Sequence, residues 1–385
     1  MYRYFKDNFA WSFSVSLAME MGQINEIDQA CAPLLPLQNE SAEIMGEAWH
    51  ASWTEIADKV ARQGRADAAK GHEFTAGMKL LRACGYYQIA ERLMVPGDAR
   101  RNPLHQTSID CFAEGVALSG HRTTRVEIPH DGGIMAGWLT LPEGPGPHPC
   151  LIFSNGFDST KEILYLIHHD LSCQRGIATF FVDNEGSGEA LRFHDMKLKP
   201  ETEIWAGKCV DYLETVQQVD SDRIGIMALS FGGYSAPRAA GFEPRLKCCI
   251  SLGANPVGDR INPVDFEARL STPEIDSHSL WLTGAKTRKE AWDIFDAYTL
   301  VDALPAMKCP FLVAHGELDM LIPMEDAQWM VDLAVNSSRA ELKKFTEEEG
   351  AAEHCGADDP QRIGAFCYDW AAEVLGGRTK PDKTS

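Results

Sequence analysis

Basic residues are scarce in this sequence, with 36 Lys and Arg against 56 Asp and Glu in 385 residues, a formal charge of −20 at pH 7. An excess of that sign repels phosphate backbones and anionic lipid, so binding to nucleic acid or to a membrane surface would need a local basic patch. None is found; Arg100-Arg101 and Lys343-Lys344 are isolated pairs. Long apolar runs are missing too, and none reaches the roughly 18 residues that a membrane-spanning helix requires. The eleven cysteines show no CxxC and no CxxC followed by histidine. Their odd number and scattered positions argue against a disulfide framework or a zinc site and for free thiols in a reducing cytoplasm. Arg3 and Lys6 precede the apolar stretch Phe9 to Met19, which imitates a signal peptide. Ser12, Ser14 and Ser16 interrupt it and no small-residue cleavage site follows, so the expected location is cytoplasmic. Residues Pro381 to Ser385 carry no prenylation or peroxisomal signal. With 44% hydrophobic and 24% charged residues the chain is neither disordered nor of low complexity. The composition suits a soluble protein acting on a small molecule, without cofactor or metal.

The length fits one large domain or two unequal ones. Residues 1 to 118 read as helical, because apolar residues recur at intervals of three and four. Ile44, Met45, Trp49, Trp53, Ile56 and Val60 form one stripe and Phe74, Met78, Leu81 and Cys84 another, both expected to pack as core between helices. The period changes at Thr123 to Leu141, where alternation around Asp131-Gly132-Gly133 predicts a hairpin. Short apolar runs follow at Cys150 to Ser154, Ala178 to Asp183, Arg223 to Ala228, Leu246 to Leu252 and Pro310 to His315, separated by amphipathic stretches such as Glu203 to Val219. That succession predicts an α/β class with a mostly parallel sheet covered by helices on both faces. Residues 257 to 298 carry Trp281, Trp292, Phe295 and Tyr298 but no strand-like run. They read as an insertion over the sheet's C-terminal edge, where open α/β sheets bind ligands. The expected domains are therefore a helical cap over 1–118 and a catalytic domain over 119–385.

The sharpest local signal is Arg223-Ile-Gly-Ile-Met-Ala-Leu-Ser-Phe-Gly-Gly233, a buried strand running through Ser230 into helix-compatible sequence. It is a nucleophile elbow of the form A-x-S-x-G, in which small neighbours let strand and helix approach closely. A serine in such surroundings is also a common turn or helix-capping residue. Chain order tests the idea, since α/β-hydrolases place nucleophile, acid and histidine in that succession. Asp319 follows the strand Pro310 to His315, with Glu317 as the competing carboxylate. His354 is the sole histidine after Asp319. Acyl transfer assigns the roles: Ser230 attacks, His354 takes and returns the proton, and Asp319 fixes the imidazole tautomer. The oxyanion needs two donors. One is expected from the backbone N–H of Phe231, the other from the loop Ser154-Asn-Gly-Phe-Asp158, through Phe157. Asn155-Gly156 also reads as an ordinary turn.

Other motifs weigh less. Asp183-Asn-Glu-Gly-Ser-Gly188 is not G-x-G-x-x-G and reads as a tight turn beside the active site. Thr283-Gly-Ala-Lys-Thr287 lacks the distal glycine of a P-loop. His168 and His169 are adjacent, point apart on a helix and make poor metal ligands.

Taken together, Met78-Lys-Leu-Leu-Arg-Ala-Cys-Gly-Tyr-Tyr-Gln-Ile-Ala-Glu91, the hairpin, Asn155-Gly-Phe-Asp158, the elbow, His315-Gly-Glu-Leu-Asp319 and Glu353-His-Cys355 resemble one group of α/β-hydrolases. It contains the fungal polyketide-shortening and fusarin-type hydrolases and the bacterial 2,6-dihydroxypseudooxynicotine hydrolase, with FrsA-like esterases more distant. The resemblance covers roughly residues 70 to 385. It implies an α/β-hydrolase fold with helices packed over the core, the triad on Ser230, Asp319 and His354, and cleavage of a C–C or ester bond in secondary metabolism. Ala228 departs from the commoner glycine. A homodimer is expected by the same analogy. The expected function is a serine hydrolase cleaving a β-diketone-like C–C bond, an ester or a lactone. Intramolecular acyl transfer by a cyclase and a non-catalytic binding module are the competing readings.

Overall fold

The computed structural model describes residues 2–261 and 273–381. The chain divides into two compact units, Met1–His121 with Thr272–His278, and Arg122–Ser271 with Ser279–Ser385.

The first unit is built from α1 (Phe9–Met21), α2 (Ile24–Cys31), α3 (Ala42–Ala68), α4 (Glu73–Arg92) and α5 (Arg101–Ser119). Side-chain caps start two of these helices, Asn8 accepting the Trp11 N–H and Ser41 the Ile44 N–H. A left-handed Gly120 ends α5. Its core holds a chain of rings, Phe5, Trp11, Trp49, Trp53 and Tyr86, with successive centroids 4.8, 5.2, 5.5 and 5.7 Å apart. The expected second stripe is corrected: Phe74 is 76% and Met78 66% exposed, while Ala76, Gly77, Leu80, Ala83 and Cys84 are buried. Small residues take that face because α4 and α5 approach closely. A Cβ on Gly77 would lie 3.0 Å from the Gly115 carbonyl oxygen. Ile44, the first residue of the other stripe, is also exposed.

The second unit carries an eight-stranded sheet in the order β1-β2-β4-β3-β5-β6-β7-β8. The strands are β1 (Thr123–His130), β2 (Gly133–Thr140), β3 (His148–Ser154), β4 (Ala178–Val182), β5 (Val219–Leu229), β6 (Cys249–Leu252), β7 (Phe311–Gly316) and β8 (Ala340–Phe345). β1 and β2 form the expected hairpin, β2 pairs antiparallel with β4, and every pair from β4 to β8 is parallel. β3 is buried throughout, as a strand covered on both faces must be. Helices α6 (Lys161–Gln174), α7 (Gly188–His194), α8 (Thr202–Leu213) and α9 (Gly232–Phe242) connect the central strands. The amphipathic stretch from Glu203 ends at Leu213, earlier than expected, because Val219 is taken into β5.

Between β6 and β7 lie the short helices Val257–Arg260, Pro273–Thr283, Arg288–Phe295 and Ala303–Ala306. Residues 262–272 of the expected insertion lie outside the described residues. Among the described residues no helix is long and apolar enough to cross a membrane. All eleven cysteines are free thiols.

Candidate active site

Ser230 directly follows β5 with φ +57°, a left-handed conformation that a serine adopts only where its surroundings hold it there. Two backbone bonds do so: its N–H donates to Leu252 O at 3.0 Å, and its carbonyl accepts the Gly233 N–H at 2.7 Å. The glycines of the elbow are required by close approach. A Cβ on Gly233 would fall 2.1 Å from Gly253 O, and one on Gly232 2.6 Å from the Ala228 methyl. Ala228 therefore fits where glycine is commoner because Gly232 leaves the space for its methyl.

Ser230 Oγ lies 2.8 Å from His354 Nε2, and His354 Nδ1 lies 2.7 Å from Asp319 Oδ2. His354 opens the short turn His354–Gly356, and Asp319 sits in the loop after β7. Asp319 is held by its other oxygen, Oδ1, which accepts the Leu321 N–H at 2.8 Å and the Ile322 N–H at 3.1 Å. Burial alone would raise the Asp319 pKa, but the charge and hydrogen bond of His354, with His315 and the Ile322 amide, hold it below the usual value. An ionised Asp319 accepts only, so Nδ1 of His354 donates, and in the neutral ring Nε2 is left to accept the Ser230 O–H. Burial also disfavours the imidazolium of His354. The neighbouring Cys355 sulfur and the Asp319 carboxylate outweigh it and hold the His354 pKa well above the ordinary histidine value. Cys355 Sγ lies 3.5 Å from Nε2 and donates to Leu252 O at 3.3 Å. Glu317, the competing carboxylate, is engaged elsewhere: it accepts the Glu347 N–H at 2.6 Å and pairs with Lys344 at 3.0 Å.

On the other side of Ser230, the loop after β3 comes up against the elbow. A Cβ on Gly156 would lie 2.8 Å from both Leu229 O and Ser230 Cβ. The Phe231 N–H, next in sequence to Ser230, donates to no acceptor among the described residues. The Phe157 and Phe231 rings lie 6.3 Å apart, and Phe231 packs on Phe295 and Tyr298 of the segment after β6, at 5.8 and 5.7 Å. Asn155 pins the loop, donating through Nδ2 to Val182 O at 3.1 Å and to Asp183 Oδ1 at 2.9 Å, while its Oδ1 accepts from Ser159 at 3.0 Å. Ser159 in turn accepts the Gly156 N–H. The stretch Asp183 to Gly188 is thus a turn beside this loop.

Beneath it lies a charge cluster that sequence reasoning missed. The fully buried Lys161 pairs with Asp183 at 2.8 Å, Glu162 at 2.8 Å and Glu189 at 2.6 Å. Arg125 grips Glu189 with two bonds of 2.7 Å. Burial opposes the charge on Lys161, but the three carboxylates prevail and push its pKa up. Glu189 is likewise held far below the carboxylate range once Lys161 and Arg125 outweigh its burial. The one sequence signal was the charged pair Lys161-Glu162 in the first turn of α6, directly ahead of the apolar run Ile163 to Ile167. Among the described residues no group of three His, Cys, Asp or Glu side chains could hold a metal ion.

A family model described as Esterase FrsA-like matches residues 43–347. Over 329 residues the chain is 29% identical to the 2,6-dihydropseudooxynicotine hydrolase of Paenarthrobacter nicotinovorans, covering 85% of this chain and 84% of that one. Over 309 residues it is 28% identical to the 20-hydroxy-prefusarin hydrolase of Gibberella moniliformis, covering 69% and 73%. Three further fungal α/β hydrolases are matched over 51% of their own length. The crystal structure of the 2,6-dihydroxy-pseudo-oxynicotine hydrolase superposes with a TM-score of 0.78 at 27% identity, covering 96% of this chain and 98% of that one.

Proposed function

This chain is a member of the FrsA-like esterase family and a hydrolase of the α/β-hydrolase type, and from that premise we propose that it is a serine hydrolase working through an acyl-enzyme on Ser230. The observation that carries the reading is the unbroken line from Ser230 Oγ through His354 to Asp319, 2.8 and 2.7 Å long. His354 takes the Ser230 proton as Oγ attacks a carbonyl carbon. The oxyanion meets the Phe231 N–H and a second donor from the Phe157 loop. As the tetrahedral intermediate collapses, His354 protonates the departing group. Water then repeats the cycle on the acyl-enzyme, which frees a carboxylic acid and Ser230.

The substrate class we propose is a small metabolite, polyketide-like, cleaved at a β-diketone-like C–C bond or at an ester or lactone. The names of two relatives, which act on 2,6-dihydropseudooxynicotine and 20-hydroxy-prefusarin, support a small-molecule secondary metabolite. Chemistry limits the C–C case: the expelled carbanion is tolerable only as an enolate, so a second carbonyl must stand β to the one attacked. The free thiols support a reducing compartment, the cytoplasm. The test is a panel of 1,3-diketones, lactones and simple aryl esters hydrolysed in H2-18O with and without EDTA. We expect label in the product carboxylate, slow turnover of aryl esters and no effect of the chelator. Activity lost with EDTA and restored by Mg²⁺ or Zn²⁺ would overturn the serine mechanism.

A further inference from the structure

We propose that His315 is a positioning residue for Asp319, acting through the carbonyl of Ile322; the proposal rests on the serine-hydrolase reading above. His315 lies near the end of β7 and is buried. Its Nδ1 stands 3.1 Å from the Ala254 N and its Nε2 3.0 Å from the Ile322 O. A backbone N–H only donates and a carbonyl only accepts. The two partners therefore dictate the neutral tautomer with the proton on Nε2. Burial, which pushes the His315 pKa down against the pull of Asp319 and Asp326, agrees with a neutral ring.

Ile322 is held on both sides. Its N–H grips Asp319 Oδ1 at 3.1 Å, and its carbonyl is gripped by His315. The ring thus ties the loop that orients the carboxylate to the end of β7, and through Ala254 to the end of β6. A second consequence concerns competition for the carboxylate. His315 Nε2 is 3.8 Å from Asp319 Oδ2, beyond hydrogen-bond range, and its proton points to Ile322 instead. Asp319 Oδ2 is left to His354. A histidine this close to the acid without its proton committed elsewhere would share the carboxylate and weaken its hold on the His354 tautomer.

The two ring bonds can be separated by substitution. In His315→Gln the amide reaches the Nε2 position and can still donate to Ile322; in His315→Asn it reaches only the Nδ1 position, keeping an acceptor for Ala254 and leaving Ile322 free. We expect His315→Asn to lower kcat about 10- to 100-fold with KM little changed, the scale of a misplaced catalytic group. His315→Gln should restore kcat to within about threefold of the unsubstituted protein. In an Asp319→Asn background, His315→Asn should cost less than about threefold further, because a residue acting through Asp319 has nothing left to position. Equal losses in both backgrounds would overturn the proposal. If His315→Asn fails to fold, the Gln variant decides, and a fall in kcat beyond about threefold overturns it. The parent reading is checked separately by Ser230→Ala: turnover retained there sinks the serine mechanism whatever His315 does.

Discussion

The two flanks of Ser230 are held in place by different physics. On one side His354, Asp319 and His315 form a chain with a single ionised carboxylate, steadied by backbone amides and a neutral imidazole. On the other, the loop of Phe157 is anchored through Asn155 to a charge cluster of buried Lys161, Asp183, Glu162 and Glu189 with the partly exposed Arg125. The difference follows the work proposed for each flank. In the proposed mechanism a proton comes and goes at His354, which faces one carboxylate rather than a network of fixed charges. In the proposed mechanism an oxyanion donor must stay still, and a network of buried ion pairs serves that end.

Four changes would break or sharpen this contrast. Ser230→Ala or His354→Ala should each remove roughly 10⁴-fold or more of kcat with the fold intact, and the double variant should lose little beyond either. Losses that multiply would show that the two do not work as a unit. Lys161→Met should act on stability instead, because it removes the buried cation that three carboxylates share. We expect a loss of about 3–5 kcal/mol in chemical unfolding followed by tryptophan fluorescence. A Lys161→Met protein as stable as its parent would mean that the cluster anchors nothing. Gly156→Ala should push the loop off the elbow and cost about 10- to 100-fold in kcat, with stability less affected.

The smallest effect is a shift in pH dependence. The proposed mechanism requires neutral His354, so kcat/KM should be lost as pH falls through a pKa held above the ordinary value of about 6.5. Half-maximal activity should therefore lie above that pH. Removing the carboxylate with Asp319→Asn should move the acid limb to lower pH, read from pH profiles of the residual activity. An upward shift in that variant would contradict the assigned cause.

Much of this site could be read from the sequence because its residues sit at the ends of strands. The run from Arg223 to Gly233 shows both strand and elbow, and Asp319 and His354 follow in order. The charged anchor stayed hidden for a physical reason: Lys161, Glu162, Asp183 and Glu189 are residue types that normally face water. Only tertiary contact shows that the three carboxylates converge on Lys161. His315 was visible as part of His315-Gly-Glu-Leu-Asp319, but its two backbone partners lie on segments that sequence spacing does not connect. In the helical unit the apolar pattern pointed to Phe74 and Met78, yet close packing between α4 and α5 selected Ala76, Gly77 and Ala83. Hydrophobicity marks a face, and backbone proximity can override it.

The acyl-enzyme on Ser230 is the central claim, and active-site labelling tests it most directly. The protein is treated with a fluorophosphonate probe, digested, and the modified peptide identified by mass spectrometry. The prediction is one adduct, on Ser230, absent in Ser230→Ala and formed far more slowly in His354→Ala. An adduct on another residue, or equal labelling of Ser230→Ala, would contradict it.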